Sequence, residues 1–403
     1  MTTTEASLPP GERIRLYRRR MGLTQEQCAQ LKGCTVSAWR KWESGERQVA
    51  SFSDWIEIAR ILRVRDLYRL TGLPVGDMPE GPGEHDTVPA IRAAMVSFNP
   101  RLTGEPNVRG LGEAVETAWD IWQERRPFQQ VGMMLPGLIT EARATIPLVD
   151  GPERGDLLRT ASMLYFLTRA FTTRVGAHDV SMLSADRAMA AAIKADDLDY
   201  RAAAAWNVGM ILTGQGHSEV VAELAADAAA MLEPTLADAT PQRMSVYGAL
   251  HLLRATQFAR MGDEHGAAKA LEVAEQVAEK VGERNDFRTV FGPTNVGIYR
   301  VWLAVELSKP REAIRAAQHC DVSALPSVER RFSYFVDLAR AYNIRGEDVA
   351  VVHMLQRAER ESPEELRLNV GSRAIVCEQL RRENSLTRSE LRPLADRMGV
   401  LSH

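Results

Sequence analysis

Residues Leu23 to Ser51, LTQEQCAQLKGCTVSAWRKWESGERQVAS, constrain the fold of this chain more than any other stretch. Thr24 can cap a helix with its hydroxyl, and Gln27, three residues later, can return the bond, so a helix begins here. It is short and ends near Gly33. Thr35 then offers a second cap. Trp39 and Trp42 stand three apart, so a second helix buries both indoles on one face while Val36, Ser37, Arg40 and Lys41 look outward. Two short helices meeting at a glycine, the second with a polar outer face, suit a DNA major groove. An ordinary helical hairpin is the alternative, and the caps alone do not exclude it.

The segment resembles the Xre family, the lambda-repressor-like helix-turn-helix regulators. That family's pattern runs LTQ, a short helix, G, an apolar residue, S or T, then a recognition helix ending in WE and a GxR loop. Here those elements are Leu23-Thr24-Gln25, Gly33, Cys34, Thr35, Trp42-Glu43 and Gly45-Glu46-Arg47. Two positions depart from the pattern. Lys32 replaces an apolar residue and is expected to snorkel, and Trp39 replaces a smaller aliphatic one. The resemblance implies that Gln25 contacts a DNA phosphate or buttresses the recognition helix. Val36, Ser37, Arg40 and Lys41 are the expected readers of base edges and phosphates, with Thr35 and Arg47 donating to phosphate.

Charge separates this head from the rest. Residues 1–72 hold 13 Lys and Arg against 8 Asp and Glu, whereas the remainder holds 37 against 45. A basic head on an acidic body implies that only the head meets phosphate. Within the head, Ile14, Tyr17 and Met21 mark a first helix from about Gly11 to Arg20. Trp55, Ile58, Ala59 and Leu62 give the stripe of a fourth, and a short fifth is expected around Asp66 to Leu70. Residues 72–89, GLPVGDMPEGPGEHDTVP, are dense in Gly and Pro and read as a flexible linker. The expected domains are therefore 1–71, 72–89 and 90–403.

Beyond the linker the sequence repeats. Val208-Gly209, Leu212 and Gly216 followed by Val221, Ala225 and Ala228 match the small and large positions of a tetratricopeptide helix pair. So do Ala255, Phe258, Gly262, Ala267, Leu271 and Ala274, and more closely Leu338-Ala339, Tyr342, Gly346, Val351, Leu355, Ala358 and Pro363. A weaker copy holds Ala304, Ser308, Ala313 and Ala317. The first helices end at Gly216, Gly262, Ser308 and Gly346, at spacings of 46, 46 and 38, longer than the usual ~34. Residues 165–193 read as a degenerate first repeat, 108–146 as a preceding helix pair, and 372–399 as a terminal cap. A non-repetitive Ala-rich bundle is the alternative. The expected fold is all-α: a five-helix lambda-repressor-like head followed by a tetratricopeptide-like solenoid. In this order the two parts resemble regulators that join an Xre head to a tetratricopeptide body, some of whose relatives are receptors for signalling peptides.

The inner face of such a solenoid is expected to carry Trp206, Met210, Asn295, Trp302, Arg340 and Asn343, with Asn207 and Tyr299 beside them. Asparagines can pair with both groups of a peptide backbone while aromatics and Met give adaptable apolar contact. Asn207 and Asn295 are expected to share one groove. Each of these residues also fits a packing role. The four cysteines are scattered and the histidines lack metal spacing, so no cofactor, metal or disulfide is expected, and no catalytic motif is present. No apolar run approaches ~18 residues and no signal segment opens the chain, so a cytoplasmic location is expected. The expected function is sequence-specific transcriptional regulation by a homodimer on a palindromic DNA operator, switched by a small peptide or other effector. The alternative is a scaffold controlled by a protein partner.

Overall fold

The computed structural model of the 403-residue chain describes residues 8–46, 49, 52–62, 64, 68–71, 85–102, 104–124, 127–214, 216–382 and 384–400. They are all-helical and fall into two compact units, Met1–Gly83 and Glu84–His403. None of the helices among the described residues is long and apolar enough to cross a membrane.

The first unit contains α1 (Pro10–Arg20), α2 (Gln25–Lys32), α3 (Val36–Ser44), α4 (Phe52–Ile61) and α5 (Tyr68–Thr71). Thr24 accepts from the Gln27 amide at 3.1 Å and the Gln27 side chain accepts from the Thr24 amide at 2.8 Å, the reciprocal cap expected of this pair. Thr35 caps α3 through the Ala38 amide. Ile14, Cys28, Trp39, Trp42, Ile58 and Leu62 meet in one buried core, with the two indoles edge to face at 6.0 Å. Truncating one such indole to Ala costs about 3–5 kcal/mol. Lys32 does more than snorkel: its ammonium lies 2.8 Å from Asp54 and also pairs with Glu57, tying α2 to α4.

The second unit begins inside the stretch expected to be a linker. Residues 72–84 of that stretch lie outside the described residues, but His85 meets Phe171 edge to face at 5.5 Å and Thr87 is buried. Helix α6 (Val88–Val96) starts there, so His85 to Pro89 belong to the second unit.

Helix pairs follow: α7 (Val108–Glu124) with α8 (Phe128–Thr145), α9 (Gly151–Arg174) with α10 (His178–Lys194), and α11 (Leu198–Gly214) with α12 (Ser218–Leu232). Next come α13 (Pro241–Arg260) with α14 (Glu264–Val281), α15 (Pro293–Glu306) with α16 (Pro310–Ala317), and α17 (Val328–Arg345) with α18 (Asp348–Glu361). The partners of each pair touch. Each first helix also touches the first helix of the next pair, from α7 to α17. This is a stacked helical-repeat arrangement. Where the helices cross closely there is little room for a side chain; a Cβ on Gly209 of α11 would sit 2.5 Å from the Leu253 side chain of α13. The pairs turn at Gly176, Gly216, Gly262 and Gly346, all with positive φ; the equivalent Ser308 turns at φ 58° without a glycine's freedom.

Helices α19 (Pro363–Leu368), α20 (Val370–Arg382) and α21 (Arg388–Arg397) close the array. The array also bends back on itself. Arg174 of α9 pairs with Glu329 of α17 and lies 3.1 Å from Glu365 of α19, and Glu364 accepts from the Phe128 amide at 3.4 Å.

Candidate nucleic-acid interface and cavity

Helix α3 presents two unlike faces because apolar residues recur at helical spacing. Trp39 and Trp42 are buried, whereas Thr35, Ser37, Arg40 and Lys41 are exposed and Val36 is half-buried against the core. Exposed hydroxyls and cations on one face of a short capped helix can reach phosphates and base edges. Arg47, the remaining residue expected to contact DNA, lies outside the described residues.

Glu43 fixes the orientation of that face. Its side chain is buried and its two oxygens accept four hydrogen bonds. Oε1 takes Arg18 Nε at 2.6 Å and Trp39 Nε1 at 2.7 Å; Oε2 takes the second Arg18 nitrogen at 3.0 Å and Gln25 Nε2 at 2.8 Å. Burial opposes the carboxylate's charge, but the bonds from Arg18, Gln25 and Trp39, with the Arg18 charge, hold its pKa below the usual carboxylate range. The other end of the Gln25 amide accepts from Arg40 Nε at 3.2 Å. A buried carboxylate thus runs through Gln25 to an exposed arginine of the candidate reading face. Gln25 joins Glu43 to Arg40, both residues of α3. In the sequence Glu43 stands out only as part of the Trp42-Glu43 pair; its link to Arg18, 25 residues away, is tertiary.

In the second unit a cavity of about 570 Å³ opens on the inner side of the first helices of successive pairs, from α9 to α17. Of the eight residues expected on the inner face, Met210, Tyr299, Trp302 and Arg340 line it, and the other four do not. Trp206 is buried, with the Arg169 guanidinium 5.8 Å from its ring. Asn207 is buried and spends its oxygen on Arg169, at 3.0 and 2.7 Å, and its amide on the Ala203 carbonyl. Asn295 is buried without a partner for its oxygen among the described residues. Asn343 is held by Glu378 and Gln379 of α20. The neighbouring layers satisfy or bury these polar groups, so the groove expected to unite Asn207 with Asn295 does not form.

Arginines and acids dominate the polar wall. Arg340 reaches Glu306 at 3.1 Å and Asp337 at 3.3 Å, and Arg260 stacks on Trp302 at 5.7 Å. Burial pushes the Asp337 carboxyl up to about 7, against the pull of Arg340 and with a push from Glu306. Arg330, Ser333, Asp337 and Arg340 form a polar stripe at helical spacing along α17. In the sequence such a polar stripe reads equally as a solvated helix face, and only Arg340 was expected in the interior.

A helix-turn-helix domain family matches residues 11–69, from the second residue of α1 into α5. No curated protein and no solved structure matches the chain. The first unit carries a helix-turn-helix domain, which points to a DNA-binding regulator.

Proposed function

We propose that this chain is a sequence-specific transcriptional regulator that reads DNA with α3 and answers to a small effector held in its second unit. The observation that carries the DNA-binding part is the exposed set Thr35, Ser37, Arg40 and Lys41 on a helix locked from behind by Trp39, Trp42 and Glu43. Its place within the matched helix-turn-helix segment supports the same role. In this proposal Gln25 orients Arg40, and Val36 offers an apolar contact to a thymine methyl. Arg47 adds a phosphate contact.

The stacked pairs are read as tetratricopeptide-like, and the chain as a homodimer on a palindromic operator with half-sites about one helical turn apart. An effector is favoured over a purely protein-controlled scaffold because the inner side holds a cavity within the usual ligand range of ~300–1,000 Å³. Met210, Tyr299, Trp302 and Arg340 are the proposed effector contacts. The effector acts only by binding two states of the dimer unequally.

The test starts from genome-wide occupancy of the tagged protein, which supplies the operator. Replacing Arg40 and Lys41 together with Ala should weaken specific binding by about 1–3 kcal/mol per lost base contact, with the circular dichroism unchanged. A folded double variant of undiminished operator affinity removes α3 as the reading helix.

A further inference from the structure

Among the described residues, the ion pairs of the cavity wall include every lining arginine except Arg330. Arg174 is engaged by Glu329 and Glu365, and Arg340 by Glu306 and Asp337. Arg260 donates to the Thr213 carbonyl and faces Glu306 at 3.9 Å. Arg330 meets no carboxylate among the described residues; its guanidinium lies over the Tyr299 ring at 5.5 Å. Each carboxylate of the wall already faces an arginine, so a cationic guest would have to displace one. An anionic guest would displace none of these pairs and would give Arg330 the acid partner it lacks among the described residues. A cation–π contact uses none of the guanidinium's N–H donors as a conventional hydrogen bond to oxygen, so they can serve a bidentate acid group. Ser333, one turn further along α17, adds a hydroxyl to the same wall. The rest of the lining is apolar and aromatic: Met210, Ile298, Trp302, Phe332 and Val336.

We propose that this cavity binds an organic anion with an unsaturated or ring-bearing body, its acid group on Arg330 and its body against Tyr299, Trp302 and Met210. The proposal rests on the effector function above and names the chemical class of the effector.

Two fluorescent probes of nearly the same shape test it on the full-length protein. Anilinonaphthalene sulfonate carries an acid group, and phenylnaphthylamine offers the same rings without one. The wild type should bind the sulfonate at a single site at least about tenfold more tightly than the neutral probe. Arg330→Met should remove that preference, weakening the sulfonate about tenfold while leaving the neutral probe within about threefold. Trp302→Ala should weaken both. Circular dichroism confirms that each variant is folded. Equal binding of the two probes by the wild type, or a sulfonate affinity untouched by Arg330→Met, overturns the anion assignment and spares the effector function. A protein that takes up neither probe, or takes them only at many weak sites indifferent to both substitutions, overturns the two together.

Discussion

Replacing Glu43 with Gln changes one oxygen to an amide and removes one charge, at a site where four donors converge. Either orientation of the new amide points its NH₂ at two donors. On one side these are Arg18 Nε and Trp39 Nε1; on the other they are the second Arg18 nitrogen and Gln25 Nε2. Two charge-assisted bonds are lost, each worth about 1.5–3 kcal/mol, and the guanidinium of Arg18, only 11% exposed, is left without its counter-charge. Gln25 can turn its amide over to regain one bond only by giving up the one it accepts from Arg40, so about 3 kcal/mol is the least loss expected. A domain of this size has about 3–9 kcal/mol in total, so the first unit should become marginal while the second is unaffected. Hydrogen exchange on the full-length protein reads this directly. Amides of α1 to α3 should lose about two orders of magnitude of protection, and those of α9 to α17 none. Acid provides a second signature. A carboxyl whose folded pKa is depressed contributes stability that is present above its unfolded value and is lost as pH falls through the folded one. Protection of α3 in the wild type should therefore fall as pH drops below the usual carboxylate range, and the variant should lack that component. A loss below about 1 kcal/mol, or equal acid sensitivity in both proteins, would refute the hub.

Two further outcomes concern the second unit. Ser308→Gly should stabilise it by about 0.5–1 kcal/mol, because relief of the left-handed turn at φ 58° outweighs the extra freedom of the unfolded chain. A thermal midpoint unchanged or lowered by the substitution contradicts that balance. Asp337, with its pKa raised to about 7, favours the folded state most when protonated. That contribution is complete below the unfolded value and disappears as pH rises through about 7. Asp337→Asn should therefore gain stability relative to wild type as pH rises from about 5 to 8, and parallel denaturation curves across that range would show that the carboxyl is not strained by burial.

Local rules settled much of the molecule before any packing was considered. The hydroxyls of Thr24 and Thr35 start α2 and α3 because their reach to an amide three residues on is a property of the chain itself. The outward Arg40 and Lys41 and the inward Trp39 and Trp42 follow from a 3.6-residue period alone. Equally local are the turns near Gly216, Gly262, Ser308 and Gly346, where the expected helix pairs indeed break. Tertiary structure decided the partners of the polar groups. Nothing in the neighbourhood of Asn207 shows that Arg169, 38 residues away, takes its oxygen, and nothing near Asn343 points to Glu378. The curl that brings Arg174 to Glu329 across 155 residues sums a small rotation at every helix crossing, and no single repeat encodes that sum. A side chain's face is set by its own helix, whereas its partner is set by the packing of all the others, so the exposed face of α3 was legible in the sequence and the cavity with the partners of its arginines was not.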